Sequence, residues 1–312
     1  MLECEMLKLL LAILIFINLY ADEPISPIPL DSGIDIEKAK LGKILFFDTI
    51  LSRDNSTACV SCHDVFKGGA DSRVVSFGFH GKKGNIQSPT VFNARYNFKQ
   101  FWNGRVDTLA QQVNGPINNP VEHNMNPKLV EDRLNKSTYY KELFYKTYHI
   151  SNIKYKDVVN AIVEFEKGLI TPNSKFDKYL RGEVKLTPDE KNGYTLFKQY
   201  GCITCHNGIN VGSNSFQKMG TFIEYKTKKS YPDREAVVDK KMYHNVFKVP
   251  TLRNINLTAP YFHDGATKTL DEAINVMAKH NLGVELSKKE VKDLRLFLNT
   301  LEGEKPAILE SN

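Results

Sequence analysis

Apolar side chains recur at helical spacing in several stretches of this chain. Between positions 152 and 169 they lie mostly three and four residues apart, which predicts one amphipathic helix. These residues are Ile153, Val158, Ile162, Phe165 and Leu169. A final helix is predicted over about 288–301, ended by a glycine and a proline. Alternating patterns typical of strands are scarce, so the chain is expected to be mainly α-helical with long loops.

A break between two helical regions predicts a domain boundary. The sequence TPNS at 171–174 ends the first helix. Thr187 begins the next helix as its N-cap, with a proline in the first turn and Glu190 completing a capping box. We therefore predict one domain over 22–182 and a second over 183–312, with the last helix a candidate for packing on the first domain. The length of 312 residues is enough for two modest domains.

The N-terminus carries an apolar run, LKLLLAILIFINLY, at 7–20. This run is short for a membrane span but suits the apolar region of a signal peptide. Residues 1–21 are thus predicted to be a signal peptide cleaved after Ala21, which implies export to the periplasm and no stable membrane span afterwards. An uncleaved anchor helix is the alternative interpretation.

The composition is that of a soluble globular protein, with 41% hydrophobic and 25% charged residues. The formal net charge is +6, a mild excess that can attract acidic partners. However, the lysines are scattered along the chain, which is typical of a solvated surface. We therefore expect no nucleic-acid partner.

Four of the five cysteines form two identical Cys-x-x-Cys-His motifs, at 59–63 and 202–206. This is the attachment pattern of c-type haem. Two thiols on one helical turn reach the two vinyl groups of a porphyrin, and the adjacent histidine reaches the iron from the same face. The motifs predict two covalently bound haem c groups. The attachment residues would be Cys59, Cys62, Cys202 and Cys205, and the iron ligands His63 and His206.

Other uses of two Cys-x-x-Cys pairs have to be weighed against haem. A redox-active dithiol needs only the two cysteines, and the two pairs together could hold one structural zinc. Disulfides are also possible in an exported protein. None of these three alternatives requires the histidine that follows each pair.

The haem motifs are part of a larger internal duplication. Residues 89–109 align without a gap with residues 250–270 over 21 positions, both beginning Pro-Thr and ending Thr-Leu. The chain thus consists of two related halves. Trp102, the only tryptophan, is aligned with His263, which marks a place where the halves have diverged.

The second axial ligands of the two irons cannot be ranked from spacing alone. An iron with two strong ligands carries electrons, whereas an open or openable position allows chemistry. The remaining candidates are His80, His123, His149, His244, His263, His280, Met125, Met219, Met242 and Met277.

The chain resembles the bacterial di-haem cytochrome c peroxidases over essentially all of its length after residue 21. The resemblance is carried by LGKILFFDTILSRDNSTACVSCHD at 41–64, GPINNPVE at 115–122 and VPTLRNINLTAPYFHDGATKTLDEAINVMA at 249–278, among other stretches. It implies a mainly α fold with two cytochrome c-like haem domains and long loops.

The resemblance also implies that the two haems differ. The N-terminal haem, held by His63, would be the low-potential peroxidatic one, with His80 closing its distal side in the oxidised form. The C-terminal haem would have high potential, with His206 and Met277 as ligands. Thioether ligation raises the reduction potential, so this haem accepts electrons from a mild donor.

Further roles follow from the same resemblance. Glu122, in the motif Asn-Pro-Val-Glu, would be the acid–base group that moves a proton during cleavage of the peroxide bond. Trp102 would couple the two haems electronically.

A calcium ion between the domains is also implied. Its ligands would be the backbone carbonyls of Thr258 and Pro260 and a side-chain amide. Gln87 stands where the family usually has asparagine, and Asn85 is an alternative source of the amide oxygen.

The implied activity is reduction of hydrogen peroxide in the periplasm, with electrons from a small cytochrome c or a cupredoxin, by a homodimer. A di-haem electron carrier without peroxide turnover is the alternative, and it predicts no loss on replacing Glu122. A related group of enzymes oxidises protein-bound tryptophan, but it has tyrosine where Met277 stands and lacks the glutamate.

Overall fold

The computed structural model describes residues 23–227 and 231–311. The predicted signal peptide lies outside the described residues. The α-helices are α1 (Ile36–Phe47), α2 (Leu109–Asn118), α3 (Pro127–Lys136), α4 (Thr138–Tyr148), α5 (Tyr155–Gly168), α6 (Lys175–Leu180), α7 (Pro188–Gln199), α8 (Glu235–Val238), α9 (Leu270–Met277) and α10 (Lys288–Asn299). Within this part of the chain the strands are β1 (Phe216–Lys218) and β2 (Val246–Lys248), which pair antiparallel. The mainly α prediction is confirmed.

The predicted helices lie close to their expected positions because their ends are encoded locally. Thr187 caps α7 and accepts a hydrogen bond from the backbone of Glu190, which completes the capping box. The helix predicted over 152–169 is α5, and that over 288–301 is α10. No helix in the described ranges is long and apolar enough to cross a membrane.

Each half is built on one close pair of helices. In the first half, a Cβ on Gly42 of α1 would lie only 1.9 Å from the backbone oxygen of Ala161 on α5, so only glycine fits there. In the second half, Gly193 of α7 meets the backbone oxygen of Asp293 on α10 in the same way. The duplication seen in the sequence is thus a repeated helix–helix contact, which lets two backbones approach each other without side chains between them.

The two halves meet at Thr171, which follows α5. Asn93 and Asn254, which occupy equivalent positions, each donate a side-chain hydrogen bond of 2.8 Å to the hydroxyl oxygen of Thr171. All three side chains are buried. Buried polar groups are expensive unless they are hydrogen-bonded, so this network holds the halves in one relative position.

The two chain ends are exchanged between the halves. Ile25 belongs to the apolar core around α7 and α10, and the carbonyl of Ser26 accepts a hydrogen bond from buried Arg253. At the other end, Ile308 packs in the core around α1 and α5. The side chain of Lys43 donates to the carbonyl oxygen of Leu309. Each half is therefore completed by the distant end of the chain.

The packing differs from the predicted division at 182/183 in one respect. Helix α6 lies before that division, yet its Phe176 packs against Tyr194 and Phe297 of the second half. The last α-helix, α10, packs on α7 in its own half, while its Phe297 contacts Phe176 of α6 and the short turn Ala307–Leu309 packs in the core of the first half. The division itself stays a prediction.

Candidate haem and peroxide site

Both Cys-x-x-Cys-His motifs form a single helical turn. The backbone nitrogen of His63 donates to the carbonyl oxygen of Cys59 at 3.1 Å, and that of His206 donates to Cys202 at 3.0 Å. This geometry places two thiols and an imidazole on one turn, as covalent haem attachment requires. The four motif cysteines carry no disulfide.

All six motif side chains line one large internal cavity, whose walls come from both halves of the chain. Its volume is about 1300 Å³, which exceeds the roughly 300–1000 Å³ of ordinary small-ligand pockets. The metal-ligating atoms of the two motifs do not converge among the described residues, which argues against one zinc shared by both pairs. A cavity of this size with two thiol pairs in its wall fits two porphyrins.

The pKa values of the motif thiols distinguish these cysteines from those of a reactive dithiol. Burial raises the pKa of Cys59 and Cys62, and it raises the pKa of Cys202 to about 11. Reactive dithiols have the opposite property, a lowered pKa that maintains a thiolate. Cys59, Cys62 and Cys202 therefore lack the lowered thiol pKa that is typical of reactive dithiols.

The two motif histidines are oriented by the backbone behind them. The Nδ1 atom of His63 lies 3.1 Å from the carbonyl oxygen of Pro89, and that of His206 lies 3.4 Å from the carbonyl oxygen of Val211. Such a bond fixes the ring and leaves Nε2 to bind a metal. Burial lowers the pKa of both imidazoles, to about 4 for His206, and the neutral form is the one that ligates iron.

The halves differ on the opposite side of the cavity. Thr108 and Thr269 are equivalent N-caps, each with a capping box, and they begin α2 and α9. Eight residues after the cap, the second half has Met277 and the first half has Pro116, and both residues line the cavity. Methionine can ligate iron through its sulfur whereas proline offers no ligand atom. The first half thus lacks a ligating side chain at the place where the second half has one.

Glu122 lines the cavity just beyond the end of α2. Its Oε1 atom accepts a hydrogen bond of 2.6 Å from the side chain of Asn119. Burial raises the pKa of Glu122, while Asn119 and the charge of Arg105 act in the opposite direction. The carboxyl also lies close enough to Cys59 to influence its pKa, so it belongs to the haem site of the first half.

His80 does not project into this cavity in the structure. Its side chain is 68% exposed, and its Nδ1 atom lies 3.6 Å from the carboxylate of Asp54. The backbone explains this position, because His80 adopts a left-handed conformation with a φ of 54° that turns the ring towards solvent. The turn is joined to the segment of Glu122 by a hydrogen bond of 2.7 Å, from the backbone nitrogen of Phe79 to the backbone carbonyl oxygen of Glu122. The expected approach of His80 to the first iron is not seen in this conformation.

Trp102 lies in the cavity wall at the junction of the halves. Its indole nitrogen donates to the carbonyl oxygen of Gln87 at 2.8 Å, and its ring is 6.2 Å from the ring of His263. Equivalent backbone hydrogen bonds cross the junction in both directions. The backbone nitrogen of Gln87 donates to the carbonyl oxygen of His263 at 3.0 Å, and the backbone nitrogen of Lys248 donates to the carbonyl oxygen of Trp102 at 2.7 Å. Trp102 therefore lies where backbone segments of the two halves are hydrogen-bonded to each other.

The three expected calcium ligands come together in the same cavity wall. Gln87, Thr258 and Pro260 all line it. The side-chain nitrogen of Gln87 donates weakly to the carbonyl oxygen of Asp71 at 3.4 Å, so its amide oxygen is the end available to a cation. Oxygen ligands of this kind suit calcium.

Comparison with known proteins agrees with this geometry. Residues 36–185 match the family model of the di-haem cytochrome c peroxidases. The chain is 44% identical to cytochrome c551 peroxidase of Nitrosomonas europaea, over 92% of this chain and 86% of that protein. It is also 41% identical to the cytochrome c peroxidase Ccp of Escherichia coli, over 91% of this chain and 62% of that protein. The chain belongs to the di-haem cytochrome c peroxidase family.

A solved structure extends the agreement to the fold of this peroxidase. A MauG-like protein associated with microbial copper homeostasis superposes with a TM-score of 0.80 at 26% identity, covering 92% of this chain and 95% of that one. The resemblance drawn from the sequence is therefore confirmed. The chain is an oxidoreductase that acts on peroxide, and its family carries two haem c groups.

Two cavity residues were not singled out by sequence reasoning. Glu166 on α5 is buried, and its Oε2 atom has no hydrogen-bond partner among the described residues. Lys248 on β2 is only 7% exposed. Comparison of the two halves could have revealed both, because uncharged residues stand at the equivalent positions: Leu298 corresponds to Glu166, and Gln87 corresponds to Lys248.

Proposed function

We propose that this peroxidase reduces hydrogen peroxide to two molecules of water, taking two protons from solvent and two electrons, one at a time, from a small cytochrome c or cupredoxin. The observation that carries the proposal is the asymmetry of the cavity. The first half has Pro116 where the second half has Met277, and Glu122 lies in that first half. One half is thus suited to bind peroxide and the other to receive electrons.

The chain's own residues would divide the work as follows. Haem iron in the first half supplies the binding position for peroxide and the route by which electrons reach it. Asn119 holds Oε1 of Glu122 and so leaves the other carboxyl oxygen free to move a proton between the two peroxide oxygens. The raised pKa of Glu122 supports this role, because burial makes this carboxyl easier to protonate than an exposed glutamate. Trp102 would carry electrons between the halves.

The decisive experiment is peroxide-dependent oxidation of a reduced small cytochrome c by the holoprotein with calcium, before and after reduction by ascorbate. Fast turnover only after reduction would support a gate at the first iron, with His80 swinging in from its exposed turn in the oxidised protein. Fast turnover without reduction would mean that the exposed position of His80 is the resting one. No turnover in either state, with both haems reducible, would favour an electron carrier.

A calcium ion bound by Gln87, Thr258 and Pro260 is part of the proposal. The three residues share one wall of the cavity with Trp102, so a cation there would stiffen the junction of the halves. Removal of calcium by a chelator should lower turnover, and added calcium should restore it. Turnover that is indifferent to both treatments would count against the site.

We also propose that the mature protein is a periplasmic homodimer. The apolar run at 7–20 supports export, and the family resemblance supports the dimer. Cell fractionation and light scattering of the mature holoprotein test the two statements separately. Recovery in the cytoplasm, or a monomeric mass at micromolar concentration, would contradict them.

A further inference from the structure

Lys248 is a buried cation in the wall of the haem cavity. Its side chain is 7% exposed, and it lines the cavity from strand β2. Among the described residues no carboxylate lies within ion-pair distance of its ammonium group, and no oxygen accepts a hydrogen bond from it. A buried charge without a partner is costly, so such groups in native proteins are normally paired. The partner is expected to come from what fills the cavity.

The backbone fixes where this charge lies. The backbone nitrogen of Lys248 donates to the backbone carbonyl oxygen of Trp102, and strand β2, which contains Lys248, pairs with β1. Two residues further on, Pro250 packs against Gly212: a Cβ built on Gly212 would lie 2.3 Å from the carbonyl oxygen of Pro250 and 3.3 Å from Nδ1 of His206. The segment that carries Lys248 therefore forms the wall beside the second haem motif.

The other half of the duplication shows that the charge is not needed to build this wall. Gln87 occupies the equivalent position, two residues before Pro89. It is buried as well, and it makes the corresponding backbone hydrogen bond across the junction, to His263. An uncharged amide thus satisfies the same backbone geometry. The lysine is a feature of the second half alone, and burial lowers its pKa to about 8 as long as no anion is present.

We propose that Lys248 is the counter-ion for the carboxylate groups of the second haem, and that its charge raises the reduction potential of that haem relative to the first. The inference rests on the proposed function in that it takes both haems to be bound. Each haem c brings two propionate carboxylates, which supply the partner that Lys248 lacks among the described residues. A positive charge nearby favours the reduced iron, which carries one positive charge less than the oxidised iron.

The test replaces Lys248 with methionine and measures the midpoint potential of each haem by spectroelectrochemistry at pH 7. At a fixed potential the oxidised-to-reduced ratio of the second haem should rise on the order of tenfold, which is a fall of about 59 mV for a one-electron couple. Lys248→Arg should retain the wild-type potential. Lys241→Met, which removes an exposed charge before β2, should leave both potentials unchanged.

Lys248→Gln keeps the test decisive if the methionine variant does not fold, because the first half already carries glutamine at this place. The inference would be overturned if the Lys248 variants had the same midpoint potentials as Lys241→Met, or if only the potential of the first haem shifted. Peroxide turnover of the wild-type protein is measured separately. An unchanged potential in a protein that turns over peroxide refutes only the counter-ion, whereas a shifted potential without turnover refutes only the proposed peroxidase chemistry.

Discussion

The two halves of this peroxidase share a helix scaffold and differ in several side chains that line the cavity or lie next to it. Gly42 and Gly193 allow the same close helix contact, and Asn93 and Asn254 bond to the same hydroxyl of Thr171. The shared residues thus belong to the scaffold.

The differences between the halves lie in the cavity wall and the adjacent core. Met277 replaces Pro116, Leu298 replaces Glu166, and Lys248 replaces Gln87. The comparison teaches that one backbone arrangement can be repeated with a different set of cavity side chains, and the proposed function assigns peroxide chemistry to one half and electron transfer to the other on the basis of those few differences.

The largest effect is expected at Glu122, because the proposed function assigns its carboxyl the acid–base role in the first half. Glu122→Gln should keep both haems and both absorption spectra but lower peroxide turnover by roughly 10²–10⁴-fold, the usual contribution of a positioned acid–base group. Steady-state oxidation of a reduced cytochrome c measures it. Glu285→Gln, an exposed change in the second half, is the matched control. Near-normal rates in the Glu122 variant would remove the acid–base role.

The next effect concerns a charge pair that only the second half has. Arg253 and Asp177 are both fully buried, with Nη1 and Oδ1 2.9 Å apart, whereas the first half has Phe92 at the position of Arg253. Asp177→Asn leaves a buried guanidinium without its counter-charge. We expect the free energy of unfolding to fall by about 3–5 kcal/mol.

Urea unfolding of the holoprotein at pH 7 measures this loss. Asp189→Asn, which changes a half-exposed carboxylate of α7 paired with Lys292 at the surface, serves as the control. A loss below about 1 kcal/mol would show that the buried pair matters little for stability.

A smaller effect is expected from the thioether of the second half. Met277→Leu should lower the potential of the second haem by on the order of 100 mV, since axial ligands tune haem potentials over a range of about 0.8 V. Redox titration of both haems measures it, with Met242→Leu, at a 76% exposed residue, as control. An unchanged potential would move the ligand to Met219, which also lines the cavity.

The last effect is seen only when the pH is varied, and it involves the buried acid of the first half. Burial raises the pKa of Glu166 from 4.5 to about 8, so the folded protein keeps a proton that the unfolded chain releases. Stability therefore falls as the pH rises from about 4.5 to 8, by on the order of 1.4 kcal/mol per pH unit, and then levels off. Glu166→Leu, which copies Leu298 of the second half, should remove this dependence.

Urea unfolding of the holoprotein between pH 5 and 8 tests the role of Glu166. Glu142→Leu on the exposed side of α4 is the matched control, and it should keep the slope of the wild-type protein. An equal slope in the Glu166 variant would mean that this carboxyl is already ionised in the folded protein.

Features encoded by neighbouring residues could be predicted from the sequence. The Cys-x-x-Cys-His spacing predicts haem attachment because two thiols and an imidazole on one turn are a local arrangement. The capping box at Thr187 and Glu190 gave the start of α7 for the same reason. The duplication predicted two related halves, and their repeated glycine contacts confirm it.

Other features depend on residues far apart in the chain. Lys248 and Glu166 would be assigned to the surface by composition, and only the meeting of the two halves buries them in one cavity. Likewise, nothing near His80 in the sequence indicates that its ring lies beside Asp54, outside that cavity.

The sequence by itself determined the chemistry of haem attachment, the helices and the duplication, because each is encoded by residues close together or by a repeat that can be aligned. Only the tertiary structure decided that segments from both ends of the described chain complete the opposite halves and that Lys248 and Glu166 are buried in the cavity wall. Burial is the physical reason, since the cost of a charge depends on surroundings that distant segments supply.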